Sequence, residues 1–225
     1  MRRAAPRAPS WKRRARRSPR LAGARADQVI FTSGATRSNN LAIFGAVEGS
    51  LEGEDLKKTR ITRLFVSAIE HKCVMASARR LAERFPWVRL EILPVTADGV
   101  LDIEALCVAL REGKGRALVA VMLANNEIGT IQPIAEVSAL VREAGGLLLV
   151  DAVPAAGKMK LDFALCDYMV LSAHKLGGPL GAGALIVADG APLVAQILGG
   201  AHQRGMRAGS GNLPGDAGFG AAPMR

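Results

Sequence analysis

From Gln28 to about residue 220, short apolar runs alternate with segments of helical periodicity. The runs at 29–32, 64–67, 88–93, 117–123, 147–151, 167–172 and 182–187 predict strands, being short, apolar and bounded by turn-forming residues. Between them the spacing predicts helices over 38–47, 72–84, 103–111, 133–144 and 192–198. Asp102 stands where an N-cap is needed, Pro133 opens its helix in the first turn, and Asp98-Gly99 marks a turn. Several strands, Leu147-Leu148-Leu149-Val150 above all, are apolar at every position, which a strand requires only when helices cover both faces of its sheet. The predicted fold is α/β, a doubly wound and mostly parallel sheet whose ligands collect at the carboxyl ends of the strands. No internal repeat is visible.

Apolar residues make up 49% of the chain and charged residues 22%, enough to bury a core and too apolar for general disorder. The longest apolar run, 117–124, falls far short of the ~18 residues a membrane span needs. Cys73, Cys107 and Cys166 form no CxxC pair and no even framework, which argues against a disulfide scaffold or zinc finger and for a reducing, cytoplasmic setting. The formal charge of +10 suggests nucleic acid until it is located: residues 1–25 hold nine Arg, one Lys and no acid. The body is therefore neutral, and its few aromatics form no stacking cluster, so a nucleic-acid partner is not expected. Residues 1–27 read as a basic disordered arm. A phosphate-binding or organelle-targeting role is the alternative, but Pro6, Pro9 and Pro19 interrupt any amphipathic helix and no apolar core of a secretory signal is present.

Five polar clusters fall at predicted strand ends. Thr32-Ser33-Gly34-Ala35-Thr36 joins a strand to a helix, so it reads as an anion cradle or an ordinary N-cap. Glu70-His71-Lys72 places a flat imidazole at the same edge, to stack on an aromatic ligand or merely to cap a helix. Asn125-Asn126 can bind a ligand oxygen or hold a tight loop through Asx turns. Asp151 closes the most apolar run, where a carboxylate needs a cationic partner or a ligand's positive charge. Lys175, within Ser172-Ala173-His174-Lys175, lies just past a buried strand, where desolvation would leave a nucleophilic amine. Pyridoxal phosphate needs such a set: a lysine for its Schiff base, an acid on its pyridinium nitrogen and a cradle for its phosphate.

With these residues in place, the chain resembles the cysteine desulfurases, of the class V branch of fold-type I pyridoxal-phosphate enzymes. The stretches VIFTSGATRSNNLAI, EHKCV, LANNEIGTIQPI, VDAVPAAGK, LSAHKLGGPLGAGALIV and GGAHQRGMRAGSGN carry the likeness, in the family's order, from residue 28 to about 220. The resemblance implies that Lys175 attaches the cofactor, that Asp151 pairs with the ring nitrogen and that His71 stacks on the ring and takes part in proton transfer. It places Ala35, Thr36, Ser172 and His174 on the phosphate, Asn126 near the ring hydroxyl and Ser210 toward a neighbouring subunit's cofactor. The reaction implied is conversion of L-cysteine to L-alanine, with sulfur left as a persulfide on an enzyme cysteine. A homodimer, or a pairing with a full-length relative, and a sulfur-acceptor or scaffold protein are the implied partners, and no metal is implied.

Departures from the family pattern bear on that expectation. Pro154 replaces a glutamine, Arg37 an acid, and Ser210 a threonine. The family's first segment, with a His-Asn-Ala-Thr-type strand, and its small C-terminal domain, with the substrate-binding arginine and the mobile cysteine loop, have no counterpart in these 225 residues. Residues 28–225 are thus expected to form a truncated cofactor-binding large domain with impaired sulfur transfer. The rival expectations are a non-catalytic cofactor-binding remnant that pairs with a full-length relative, and another class V activity such as a selenocysteine lyase or aminotransferase.

Overall fold

A computed structural model of the chain describes residues 22–52 and 55–222. Its elements are β1 (Val29–Thr32), α1 (Ala35–Gly49), the single turn α2 (Leu56–Thr59), β2 (Ile61–Ser67), α3 (Lys72–Arg84), β3 (Arg89–Leu93), α4 (Ile103–Glu112), β4 (Arg116–Met122), α5 (Ile134–Glu143), β5 (Leu147–Asp151), β6 (Tyr168–Ser172), β7 (Gly183–Val187) and α6 (Leu213–Phe219). The seven strands form one sheet in the order β1-β7-β6-β5-β4-β2-β3. Strands β3, β2, β4, β5 and β6 pair in parallel, and β7 runs antiparallel to both its neighbours.

Consecutive residues of the central strands enter two separate cores, as the period of two along a strand dictates. Val119, Val121, Leu148, Val150, Met169 and Leu171 pack on one face with Leu106 of α4 and Val137 and Val141 of α5. Leu118, Ala120, Leu147, Leu149, Tyr168 and Val170 pack on the other, with Leu41 and Ile43 of α1 and Val74 and Leu81 of α3. All five residues of β5 are buried, and each leucine there contributes about 1.5–3 kcal/mol of apolar burial. The doubly wound expectation is met. One edge of the sheet then gathers the ends Thr32, Ser67, Met122, Asp151 and Ser172, with Gly183 at the start of the reversed β7 paired to both Thr32 and Ser172.

Three expectations need correction. β2 begins at Ile61, three residues early, because Arg63 interrupts its apolar pattern while being buried. Its guanidinium donates to the carbonyls of Ala109, Leu110 and Gly115, satisfying orphan groups at the end of α4. Burial lowers the Arg63 pKa. No helix forms over 192–198. Its backbone is used otherwise: Val194 N donates to Gly45 O at 3.0 Å, and Pro192 O accepts from the Tyr168 hydroxyl. The body also starts before Gln28. Ala22 and Ala24 are buried, and Arg25 bonds both oxygens of Asp189 at 2.8 and 2.9 Å. The rest of the basic arm lies outside the described residues.

The 192–198 segment fits because α1 carries Gly45 and Gly49 on the side it crosses. A Cβ at Gly45 would lie 2.7 Å from Val194 O and 2.8 Å from Leu193 Cδ1. Helix propensity alone favours Gly45→Ala by ~1 kcal/mol, whereas overpacking costs about 1–3 kcal/mol. Gly45→Ala is therefore expected to lower the midpoint of thermal unfolding by a few degrees, about what a net loss of ~1 kcal/mol gives in a domain this size. A rise in midpoint would show that the segment does not pack on α1 in this way.

Candidate functional site

The strand ends surround a cavity of about 690 Å³, lined among others by Gly34, Ala35, Thr36, Arg37, His71, Asn126, Asp151, Pro154, Ser172, His174 and Lys175. Eight of the nine residues singled out in the sequence are thus brought together. Ser210 is the exception: it is exposed, beyond the cavity wall, with its carbonyl near Arg207.

The first wall is the start of α1. Gly34, at φ 146°, turns the chain from β1 into the helix, and no side chain caps the helix there. Gly34 itself occupies the N-cap position, so neither Ser33 nor Thr36 serves as the ordinary N-cap, and Thr32 Oγ1 is engaged with Ser38 Oγ at 2.8 Å. The turn rests on β7, where a Cβ at Gly183 would lie 2.7 Å from Gly34 Cα, so a side chain there would lift the turn from the sheet. Free N–H groups at a helix start attract an anion. Ser172, fully buried, and His174 Nδ1 share a hydrogen bond of 2.8 Å beside it. Arg37 adds a positive charge in place of the family's acid.

The floor is Asp151, which is 4% exposed. Burial pushes its carboxyl above the usual carboxylate range, against the pull of Val153 N–H, Asn39 and the nearby His71. Val153 N donates to Oδ1 at 3.0 Å and Asn39 Nδ2 to Oδ2 at 2.8 Å. No salt bridge reaches it among the described residues. A buried acid held by two donors and lacking a cation is suited to receive one from a ligand.

The far wall is the turn between β2 and α3. His71 caps α3, its Nδ1 accepting from Cys73 N at 3.1 Å with Cys73 Sγ 2.9 Å away, so Nε2 is left for the cavity. Glu70, named in the sequence only as part of the cluster around His71, anchors this turn: its buried carboxyl accepts from Met122 N at the end of β4, while Oε2 has no partner among the described residues. Burial, then the charge of Asp151, raises its pKa well above the ordinary glutamate value. Asn39 was passed over, although it lies inside the Asn39-Asn40 pair of a stretch already singled out.

The two asparagines of the next loop separate in role. Asn125 Oδ1 accepts from Glu127 N and Ile128 N, the Asx turn that holds the loop. Asn126 Oδ1 accepts from Lys175 Nζ at 3.1 Å. Lys175 itself lies in a 3-10 turn, Ala173–Leu176, and is exposed, so the expected desolvation of its amine is not found. Asn126 holds it instead.

The sequence profile of the family described as "Aminotransferase class-V" matches residues 14–222. The chain belongs to this family. Among curated relatives, this class V member is 43% identical over 214 residues to a cysteine desulfurase of Bradyrhizobium diazoefficiens, covering 93% of this chain and 51% of that protein. Among solved structures, a NifS-like protein superposes with a TM-score of 0.85 at 32% identity, over 94% of this chain and 56% of that one. Another, SspA in complex with cysteine, gives 0.80 at 31% identity, over 98% and 64%. The class V chain spans about half the length of the curated relatives it matches.

Glu70 yields a test of the site's electrostatics. An acid whose pKa is raised on folding binds its proton more tightly in the native state, so ionising it opposes folding. Native stability is expected to fall as pH rises from the ordinary value of 4.5 through the raised one, by up to about 1.4 kcal/mol per unit. Glu70→Gln keeps an acceptor for Met122 N and lacks this term, so the wild-type-minus-variant difference in urea unfolding should show that slope. Equal slopes across the window would mean that Glu70 is hydrated and ionises in the native state as it does in the unfolded chain.

Proposed function

We propose that this chain is the pyridoxal-phosphate-binding part of a cysteine desulfurase, which converts L-cysteine to L-alanine and passes the sulfur to a cysteine thiol as a persulfide. The observation that carries the reading is the convergence in one cavity of an uncapped helix start, a buried acid without a cation and a lysine amine. These three fit the cofactor's phosphate, ring nitrogen and aldehyde. The likeness to cysteine desulfurases, and to SspA in complex with cysteine, supports cysteine as the substrate.

When bound, pyridoxal phosphate supplies an electron sink for the substrate's α-carbon. The chain's own groups do the rest. The start of α1 with Thr36, Ser172, His174 and Arg37 holds the phosphate, and Asp151 keeps a positive charge on the ring side. Asn126 steers the Lys175 amine, and His71 presents a flat ring and its free Nε2 to move a proton at the rim. Pro154 lines the cavity without offering a donor.

None of Cys73, Cys107 and Cys166 lines the cavity, so the reading takes its sulfur acceptor from outside these walls. Sulfur then passes to an acceptor or scaffold protein, as iron–sulfur cluster assembly requires. Leu180 and Leu198 are 80% and 84% exposed, which supports a second copy or a full-length relative against this side, with Ser210 turned outward toward it. A cytoplasmic setting accords with three free cysteines, and among the described residues no helix is long and apolar enough to cross a membrane.

The test is borohydride reduction of the purified chain with added pyridoxal phosphate, followed by peptide mass spectrometry. A pyridoxyl group confined to Lys175, and absent from Lys175→Ala, is the expected result. Label scattered over surface lysines, or none, would overturn the reading.

A further inference from the structure

Asn39 and Cys73 lie behind the cavity rather than in it, and neither has a part in the reading above. Asn39 is fully buried on α1, and its single amide nitrogen has two acceptors: Asp151 Oδ2 at 2.8 Å and Cys73 Sγ at 3.4 Å. Cys73, half-buried in the first turn of α3, sits in turn 2.9 Å from Nδ1 of His71. The four side chains form one continuous line, Asp151–Asn39–Cys73–His71, from the floor of the cavity to its rim, joining β5, α1 and α3.

The amide's orientation is dictated by this line. Among the described residues Asn39 Oδ1 is buried without a partner, and turning the amide over would press that oxygen against the carboxylate of Asp151. An orphaned acceptor is tolerated only where the opposite end of the same group is worth more. We propose that Asn39 is a positioning residue, bridging the carboxylate of Asp151 and the thiol of Cys73 so that the acid and the imidazole at the rim are set as one unit. The inference rests on the reading of Asp151 as the acid beneath the cofactor ring.

The thiol reports on the bridge. Burial raises the Cys73 pKa, the charges of Asp151 and Glu70 add to the rise, and hydrogen bonds from Asn39 and Thr36 oppose it. Asp151 feels the same amide, which opposes the upward push of its own burial. The charged and titratable groups around the line are Glu70 and His71 at the β2–α3 turn, and Arg37, His174 and Lys175 across the cavity. Removing the amide of Asn39 therefore makes both the thiolate and the carboxylate harder to form. Removing the charge of Asp151 makes the thiolate easier to form.

The experiment is the pH dependence of iodoacetamide alkylation, read at the Cys73 peptide by mass spectrometry, on the whole chain without added cofactor. Asn39→Ala is expected to slow alkylation at fixed pH by about tenfold and move its midpoint upward, and Asp151→Asn to move the midpoint downward. Circular dichroism establishes that each variant is folded. Should Asn39→Ala not fold, Asn39→Ser, with one donor too short to serve both acceptors, gives the same sign. An unmoved midpoint in the folded Asn39 variant would overturn the proposal, and so would a downward shift there or an unmoved midpoint in Asp151→Asn. Because no cofactor is present, failure of the bridge and failure of pyridoxal phosphate to label Lys175 are separate results.

Discussion

Asp151 is the last of five consecutive buried strand residues, and among the described residues no salt bridge reaches it. A carboxylate in that position is costly unless its surroundings are arranged for it. Much of the arrangement around the cavity follows from this need. The backbone turns at Val153 so that its N–H meets one oxygen, α1 delivers Asn39 to the other, and the neighbouring acid Glu70 is left in a setting that favours its neutral form. The two buried carboxyls differ in environment: one faces two donors and an open cavity, the other accepts a single N–H and lies within reach of the first one's charge.

The architecture makes that division possible. Parallel strands ending along one edge bring residues far apart in sequence to neighbouring positions, so β1, β2, β4, β5 and β6 each contribute a loop to the cavity with little additional machinery. Two glycine contacts let the parts close. Gly183 allows the turn before α1 to rest on the sheet, and Gly45 with Gly49 allows an extended segment to cross α1 at backbone distance. The frame of the site is therefore placed by the sheet, with Arg37 in the first turn of α1 and Pro154 in the turn after β5 completing its walls.

What the amino-acid pattern revealed, and what it concealed, have physical reasons. The double-faced strands were legible because continuous apolar runs have one economical use in a sheet, and the strand-end clusters were legible because topology forces ligands there. The start of β2 was hidden by Arg63, a charge whose burial is supported by hydrogen bonds to the carbonyls at and just beyond the end of α4. The periodicity of 192–198 suited a helix, but the spacing of Gly45 and Gly49 already signalled a groove for another backbone. No local signal distinguishes Asn125 from Asn126, since the choice between bracing a loop and facing a ligand is made by the loop's conformation. The roles of Glu70 and Asn39 could not be read from their own stretches because their partners, Met122 and Asp151, are supplied by distant strands. Lys175 was expected to be desolvated from its place after a buried strand, whereas the turn that follows lifts it into the open.

The reversal of β7 has a mechanical consequence. Because β6 leaves the sheet and β7 enters it on adjacent rungs, Ser172 opposite Gly183, the intervening loop is tethered at both ends to the same few ångströms of edge. A helical crossover would have swung Lys175 away over a face of the sheet; this short hairpin keeps its amine within a small volume above Asp151. The loop acts as a leash, and a short leash on an amine is equivalent to a high local concentration of it over the cavity.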